Sequence, residues 1–359
     1  MKWQDRRLLD LFGIEHPIVQ APMAGISSPQ MAVAAAQAGG LGSIAAAMLT
    51  PDTLRSELQI AQQGTGRSLN VNFFVHKPPV QDAAREANWR RRLEAYYREF
   101  GLSVDAATGG PARAPFNEAM CDIVLEYRPK VVSFHFGMPD AALVKRLKGA
   151  GILTISSATT STEARWLEDN GCDAIIAQGN EAGGHRGMFL TDDIARQPGT
   201  MVLVPQVVDA VKVPVIAAGG IGDGRGIAAA LALGAAGVQI GTALMLSPEA
   251  KTGPAHRAAL KQADDNSTTL TNIFTGRPAR GIVNRYVREV GPMSVDAPAF
   301  PLAAGASGPL RSAAEAKGSG DFTPLWSGQA PRFAREMPTA ELMAVLVRET
   351  DAVLSRVAR

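Results

Sequence analysis

Cysteine is nearly absent. The two present, Cys121 and Cys172, have no CxxC spacing in 359 residues. They exclude a disulfide scaffold and point to a reducing compartment. Surplus charge is also missing: 36 basic residues face 34 acidic ones, a net charge of +2. That balance removes the electrostatic case for a nucleic-acid or anionic-membrane partner. No uninterrupted apolar run reaches the roughly 18 residues of a membrane span. Residues 17–51 lack Asp, Glu, Lys and Arg but carry Pro17, Pro22, Pro29 and three glutamines, so they read as buried strand, turn, helix and strand. Asp5, Arg6 and Arg7 break up the N-terminal apolar residues too early for a signal peptide. A cytoplasmic location is expected. What is present is apolar material, 46% of the chain, enough for a sizeable core and against global disorder.

Short apolar runs alternate with segments of helical pattern. The runs are Pro17–Ala21, Leu41–Ala45, Leu69–Phe74, Val131–Phe134, Ile152–Ser156, Ala174–Ala177, Val215–Ala218 and Val238–Ile240. Near-continuous apolar strands suit a parallel sheet buried on both faces. Helices are expected at Pro29–Gln37 (capped by Ser28), Asp140–Gly149, Thr162–Asn170 and Gly224–Leu233. Eight successive units predict an α/β fold, a (β/α)8 TIM barrel, over an open doubly wound sheet. The expected barrel covers residues 1–246, carries a helical insertion at 78–128, and is completed by 325–359. The insertion holds a helix at Gln81–Phe100 and a loop at Gly109-Gly110-Pro111. Residues 247–324 are expected to form a smaller, mainly helical substrate or lid domain. The last helix, Thr339–Val357, is expected to pack back on the barrel.

Barrel function sits at the C-terminal strand ends. Amides, glycines and histidines gather there: Ala21 to Gly25, Asn70 to Asn72, Ser133 to Gly137, Gln178 to Gly187, Ala218 to Gly224 and Gln239 to Thr242. Gly219-Gly220 and Gly241-Thr242 follow the seventh and eighth strands, where barrels bind phosphate through backbone N–H groups. The plain alternative is that these glycines relieve crowding. Gly222-Asp-Gly224-Arg-Gly226 has GxGxG spacing, unlike the GxGxxG of dinucleotide folds. Buried Asn70, Gln178 and Gln239 need partners. They could bond backbone carbonyls, or the donor and acceptor edge of a heterocycle. With a phosphate site, flavin mononucleotide (FMN) fits better than a sugar phosphate.

Of five histidines, His185 is distinctive, because Gly183, Gly184 and Gly187 surround it. Such a loop can approach a flat cofactor and present one imidazole for proton transfer or charge stabilisation. His135 follows the fourth strand and is a ligand contact or a support. Glu181 and His185 are four apart but separated by glycines, and neither HxxxH nor HExxH occurs, so no metal site is expected. Neither cysteine lies on a catalytic loop.

The order and spacing of these segments, with Phe274-Thr-Gly-Arg-Pro-Ala-Arg-Gly281 and Trp326-Ser-Gly-Gln329, resemble the nitronate monooxygenase family, bacterial class I, over almost the whole chain. The resemblance implies an FMN-dependent oxidation of alkyl nitronates, of the propionate 3-nitronate class, by O2 to a carbonyl product and nitrite. It implies that Pro22, Met23 and Asn70 line the flavin ring. Gln178 and Gly183 would meet its polar edge, and Gly219, Gly220, Gln239, Ile240, Gly241 and Thr242 would hold its phosphate end. His185 would be catalytic and face the substrate, with His135 and Phe300 beside it. A tyrosine is expected where Ala299-Phe300-Pro301-Leu302 stands; losing that hydroxyl favours a less polar nitronate. The expected partners are small molecules, with a monomer or homodimer as the assembly. The competing reading is an NAD(P)H-dependent FMN reductase acting on a quinone or enoyl thioester. A flavin-storage protein would need no imidazole. An aldolase would need a lysine at a strand end, and none is there.

Overall fold

The computed structural model describes residues 3–106 and 114–358. The Gly109-Gly110-Pro111 loop lies outside the described residues. The strands are β1 (Ile18–Gln20), β2 (Gly42–Ala45), β3 (Leu69–Phe74), β4 (Val131–His135), β5 (Leu153–Ala158), β6 (Ala174–Gln178), β7 (Gly184–His185), β8 (Val215–Ala218), β9 (Gly237–Ile240), β10 (Thr268–Thr271) and β11 (Ala279–Ile282).

Eight of them form one parallel sheet in the order β1-β9-β8-β6-β5-β4-β3-β2. Its two edges meet through a parallel bridge between Val19 and Leu41. There the Gln20 N–H donates to the Leu41 carbonyl at 2.9 Å and the Leu41 N–H to the Ile18 carbonyl at 3.0 Å. The sheet therefore closes into the expected TIM barrel, and no edge is left unpaired. Inside it, Val19, Leu41, Val131, Ile155, Ala174, Ile176 and Ile216 pack together. Leu8 and Phe12, from the helix Arg7–Phe12, join that cluster. Burying each such side chain contributes about 1.5–3 kcal/mol. The N-terminal end of the barrel is thus plugged, and the C-terminal end is left for chemistry.

Helices coat the outside. Helix Pro29–Gln37 begins as its sequence dictates: Pro29 occupies the first turn, and Ser28 Oγ accepts from the Met31 N–H at 3.0 Å. A Cβ on Gly42 would lie 1.9 Å from the Ala32 carbonyl oxygen, so this helix and β2 pack backbone against backbone. Helix Thr339–Val357 packs on helix Gly224–Ala232, burying Leu342, Met343 and Leu346. A further helix, Thr200–Ala210, stands between β7 and β8.

The insertion helix, Ala83–Glu99, packs away from the barrel wall. Its Trp89, Leu93 and Tyr97 share a core with Ile273, Phe274, Tyr286, Leu310 and Phe322. The Tyr97 hydroxyl donates to the Ala306 carbonyl at 2.7 Å. This second unit is not purely helical. β10 and β11 run antiparallel, and β11 also pairs with β7. Conversely, helix Pro254–Gln262 buries Leu260 in the largest barrel cluster, so that core reaches past residue 246.

Candidate active site

The C-terminal strand ends surround a cleft of about 1320 Å³ including its open mouth. Pro22, Met23, Gln178, Gly183, Gly219, Gly220, Gln239, Gly241, Thr242, His135 and His185 all line it. Three expected residues do not. Asn70 is buried one inward step below Asn72, and its Nδ2 donates to Ser43 Oγ at 3.0 Å. Asn72, two residues nearer the strand end on the same face, is the asparagine that reaches the cleft. Ile240 belongs to the hydrophobic core. Phe300 packs 5.3 Å from the His185 ring without lining the wall.

His185 does not sit on a free loop. It pairs with Ala279 as part of β7, and its neighbour Gly184 pairs with Arg280. Two side chains hold its carbonyl: Gln178 Nε2 donates at 2.9 Å and His135 Nε2 at 3.0 Å. Gln178 Oε1 meanwhile accepts from the Gly187 N–H at 2.7 Å. The amide of Gln178 therefore fixes the His185 segment, where a direct contact to a flavin edge was expected. The glycines allow close packing: a Cβ on Gly183 would lie 2.5 Å from the Gly328 nitrogen, and Gly184 has a φ of +73°. The imidazole Nε2 lies 2.9 Å from Thr275 Oγ1. Around it stand the rings of Phe74, Phe136, Phe300 and Trp326, with centroids 5.3–6.0 Å away.

His135 plays a different part. Burial pushes its pKa down to about 4, so at neutral pH it is uncharged. Its Nε2 hydrogen goes to the His185 carbonyl, and Nδ1 then accepts from Ser157 Oγ at 3.1 Å. The neutral ring supports the segment that carries His185. The next residue, Phe136, has a φ of +76°. That left-handed conformation is strained for a bulky side chain. The Arg277 guanidinium lies 4.0 Å over its ring.

Arg186 ties the segment down from below. It is fully buried and donates to Gln197 Oε1 at 2.7 Å, to the Gly179 carbonyl at 2.6 Å and to the Gln178 carbonyl at 2.8 Å. Burial lowers its pKa to about 10, which still leaves it charged.

Two of the nearby helix starts already hold a carboxylate. Glu181 accepts from the Thr200 N–H at 2.8 Å, and Asp223 accepts from the Arg225 and Gly226 N–H groups. The turn Thr242–Leu244, headed by Gly241, has no side-chain cap. Gly219 and Gly220, with φ of +120° and +69°, face the same cleft. Thr242 Oγ1 accepts from the Gly328 N–H at 2.9 Å, so its own hydrogen is directed elsewhere. These backbone donors suit an anion such as a phosphate. Gln239 Oε1 and Asn70 Oδ1 are buried without a hydrogen-bond partner. A buried amide oxygen in that state calls for a donor, and Gln239 lines the cleft. The chemistry of this lining fits a flavin.

Among the described residues no group of three His, Cys, Asp or Glu is placed to hold a metal ion. No described helix is long and apolar enough to cross a membrane. Asn72, Phe74, Thr275, Trp326 and Gly328 join the site without having been singled out individually in the sequence. Asn72 alone had a usable signal, its place on the same face as Asn70.

The family profile described as nitronate monooxygenase matches residues 5–349. A nitronate monooxygenase of Paraburkholderia phytofirmans is 42% identical over 346 residues, 96% of this chain and 94% of that one. One from Pseudomonas aeruginosa is 42% identical over 345 residues, covering 96% and 98%. The crystal structure of a nitroalkane oxidase from Streptomyces ansochromogenes superimposes with a TM-score of 0.89 at 40% identity, covering 98% and 99%. FabK from Thermotoga maritima superimposes less well, with a TM-score of 0.76 at 28% identity over 99% of each chain. Flavin-dependent oxidation of nitronates is the family's function. On sequence, fold and site together, this chain belongs to the nitronate monooxygenase family.

Proposed function

We propose that the cleft binds FMN and that the enzyme oxidises an alkyl nitronate with O2 to a carbonyl compound and nitrite. The observation that carries this reading is the placement of His185. Its imidazole lines a cleft whose other walls are an unpartnered Gln239 oxygen and the uncapped Gly241–Thr242 turn. In this reading Gly219, Gly220, Gly241 and Thr242 hold the phosphate end. Pro22 and Met23 would lie along the ring, and Asn72 and Gln239 would meet its polar atoms. Bound there, the flavin would supply the one-electron oxidation chemistry that links nitronate to O2. The chain's own residues bind, orient and exclude water. His185 orients the nitronate oxygens and stabilises their charge. Thr275 holds that ring in place, and Gln178 and His135 hold its backbone. The aromatic wall keeps water from the reacting carbon. Reduction by a nicotinamide is the alternative, supported by the weaker likeness to FabK.

The test is anaerobic mixing of purified protein with an alkyl nitronate and, separately, with NADH, following the visible flavin spectrum. Bleaching by nitronate with none by NADH is the expected result. Fast bleaching by NADH alone would overturn the reading. The same protein, purified, should elute as a monomer or homodimer and contain FMN on acid extraction.

A further inference from the structure

Arg277 is a cation that the reaction outlined above does not use. Its guanidinium lies 4.0 Å over the Phe136 ring, and Phe136 is 6.0 Å from the His185 ring. It forms no ion pair among the described residues, and its buried Nε has no hydrogen-bond partner. One terminal nitrogen donates to the Met188 carbonyl. Two acids stand near it, Asp192 and Glu163. Glu163 is already engaged: its oxygens accept from the N–H groups of Thr159, Phe189 and Leu190 and from the Thr159 hydroxyl. The other cations of this region, Arg186 and Arg280, are bonded to main-chain carbonyls around Gln178 to Asn180. Phe136, meanwhile, is held in a left-handed backbone conformation at φ +76°. A strained aromatic stacked on a guanidinium that makes no direct ion pair, and turned toward the His185 imidazole, is a costly arrangement whose structural gain is one carbonyl bond and the ring contact itself.

We propose that Arg277 is a positioning residue for the anionic substrate, placing a positive charge that makes no direct ion pair behind Phe136 so that the His185 pocket prefers a nitronate over a neutral molecule of the same shape. The inference rests on the nitronate reading of the same site. A guanidinium on a ring face draws that ring's electrons toward itself, and its charge acts through the low-dielectric aromatic wall. At about 10 Å and an effective dielectric of about 20, one unit charge changes the affinity of an anion roughly tenfold. The aromatic wall itself offers the substrate tail no charged partner, so the preferred nitronate carries its charge only on the nitro group.

The test uses the purified holoenzyme and two non-reacting probes of one shape, butanoate and butanamide. Their binding is read from the visible flavin spectrum, and KM and kcat are measured with propyl-1-nitronate. For Arg277→Met, butanoate binding should weaken roughly tenfold and KM should rise by a similar factor, with butanamide binding and kcat nearly unchanged. Arg277→Lys should recover most of the anion preference, because it keeps the charge. Equal weakening of both probes in Arg277→Met would show a merely structural brace and overturn the proposal. So would a wild-type enzyme that binds the two probes alike. The probe titrations need no turnover. A protein that fails to oxidise nitronate but still loses anion preference in Arg277→Met would sink the functional reading and leave the role of Arg277 standing.

Discussion

His135 donates its Nε2 hydrogen to the main-chain carbonyl of His185 at 3.0 Å. One histidine therefore places the other, and burial keeps the donor ring neutral. Substitution of the two should separate chemistry from support. His185→Asn should lower turnover by about 10²–10⁴-fold with flavin still bound, as expected for loss of a group that acts on charge or a proton. Unchanged kcat at full flavin content would remove His185 from the mechanism.

Acid should destabilise the fold through two histidines. His135 and His256 each have a folded pKa pushed by burial from the usual 6.5 to about 4. The unfolded chain then binds more protons than the folded one between those values. Stability is full above about pH 6.5 and is lost as pH falls toward 4, at about 1.4 kcal/mol per pH unit for each histidine. Melting temperature against pH should show that slope, and His256→Gln should flatten it. An identical profile in the variant would refute the assignment.

The Gly219–Gly220 turn, proposed to hold the flavin phosphate, should not tolerate a side chain. A Cβ on Gly219 would meet Thr200 Oγ1 at 2.8 Å, and the backbone there has φ +120°. Gly219→Ala should give folded protein with little bound flavin, read as the ratio of visible to ultraviolet absorbance. Full flavin occupancy in this variant would place the phosphate elsewhere.

Phe300 should set the choice of nitronate. Its ring lies 5.3 Å from His185 and carries no hydroxyl. Phe300→Tyr should raise relative kcat/KM for a carboxylated nitronate over a plain alkyl one by about ten- to a hundredfold, since a hydrogen bond to a charged group contributes about 1.5–3 kcal/mol. A wild-type enzyme that already favours the carboxylated substrate strongly would contradict this.

Trp89 should matter beyond its own helix. It is 1% exposed, in a core shared with Ile273, Tyr286 and Leu310. Trp89→Ala should cost about 3–5 kcal/mol in the second unit. Denaturant unfolding followed by flavin release and by far-ultraviolet dichroism should then show that unit loosening first. A single unshifted transition would argue against a shared core.

The chain's pattern alone located the barrel. Its β-strands are short and apolar on both faces, so β1 to β9, apart from β7, were recognisable within a residue or two as buried parallel strands. The Ser28 cap is local chemistry, and the start of helix Pro29–Gln37 followed from it. The clustering of glycines and amides at the strand ends also marked the cleft. Pairing across distance was not legible. β7 is two residues long and exists because β11, about 95 residues later, bonds to it. The insertion helix shows charge and aromatics in sequence, but not which core its aromatic face would meet.

The sequence by itself therefore determined the succession of short buried strands and helices, the glycines and amides at the strand ends, and His185 as the histidine of interest, because each depends on residues close together in the chain. Only the tertiary structure decided that Asn72 and not Asn70 reaches the cleft, that Gln178 and His135 grip the His185 carbonyl, and that Arg277 stacks on Phe136. Those outcomes depend on how far each strand rises at the barrel rim and on which of several possible partners a buried polar group meets, and only packing across the whole chain selects among them.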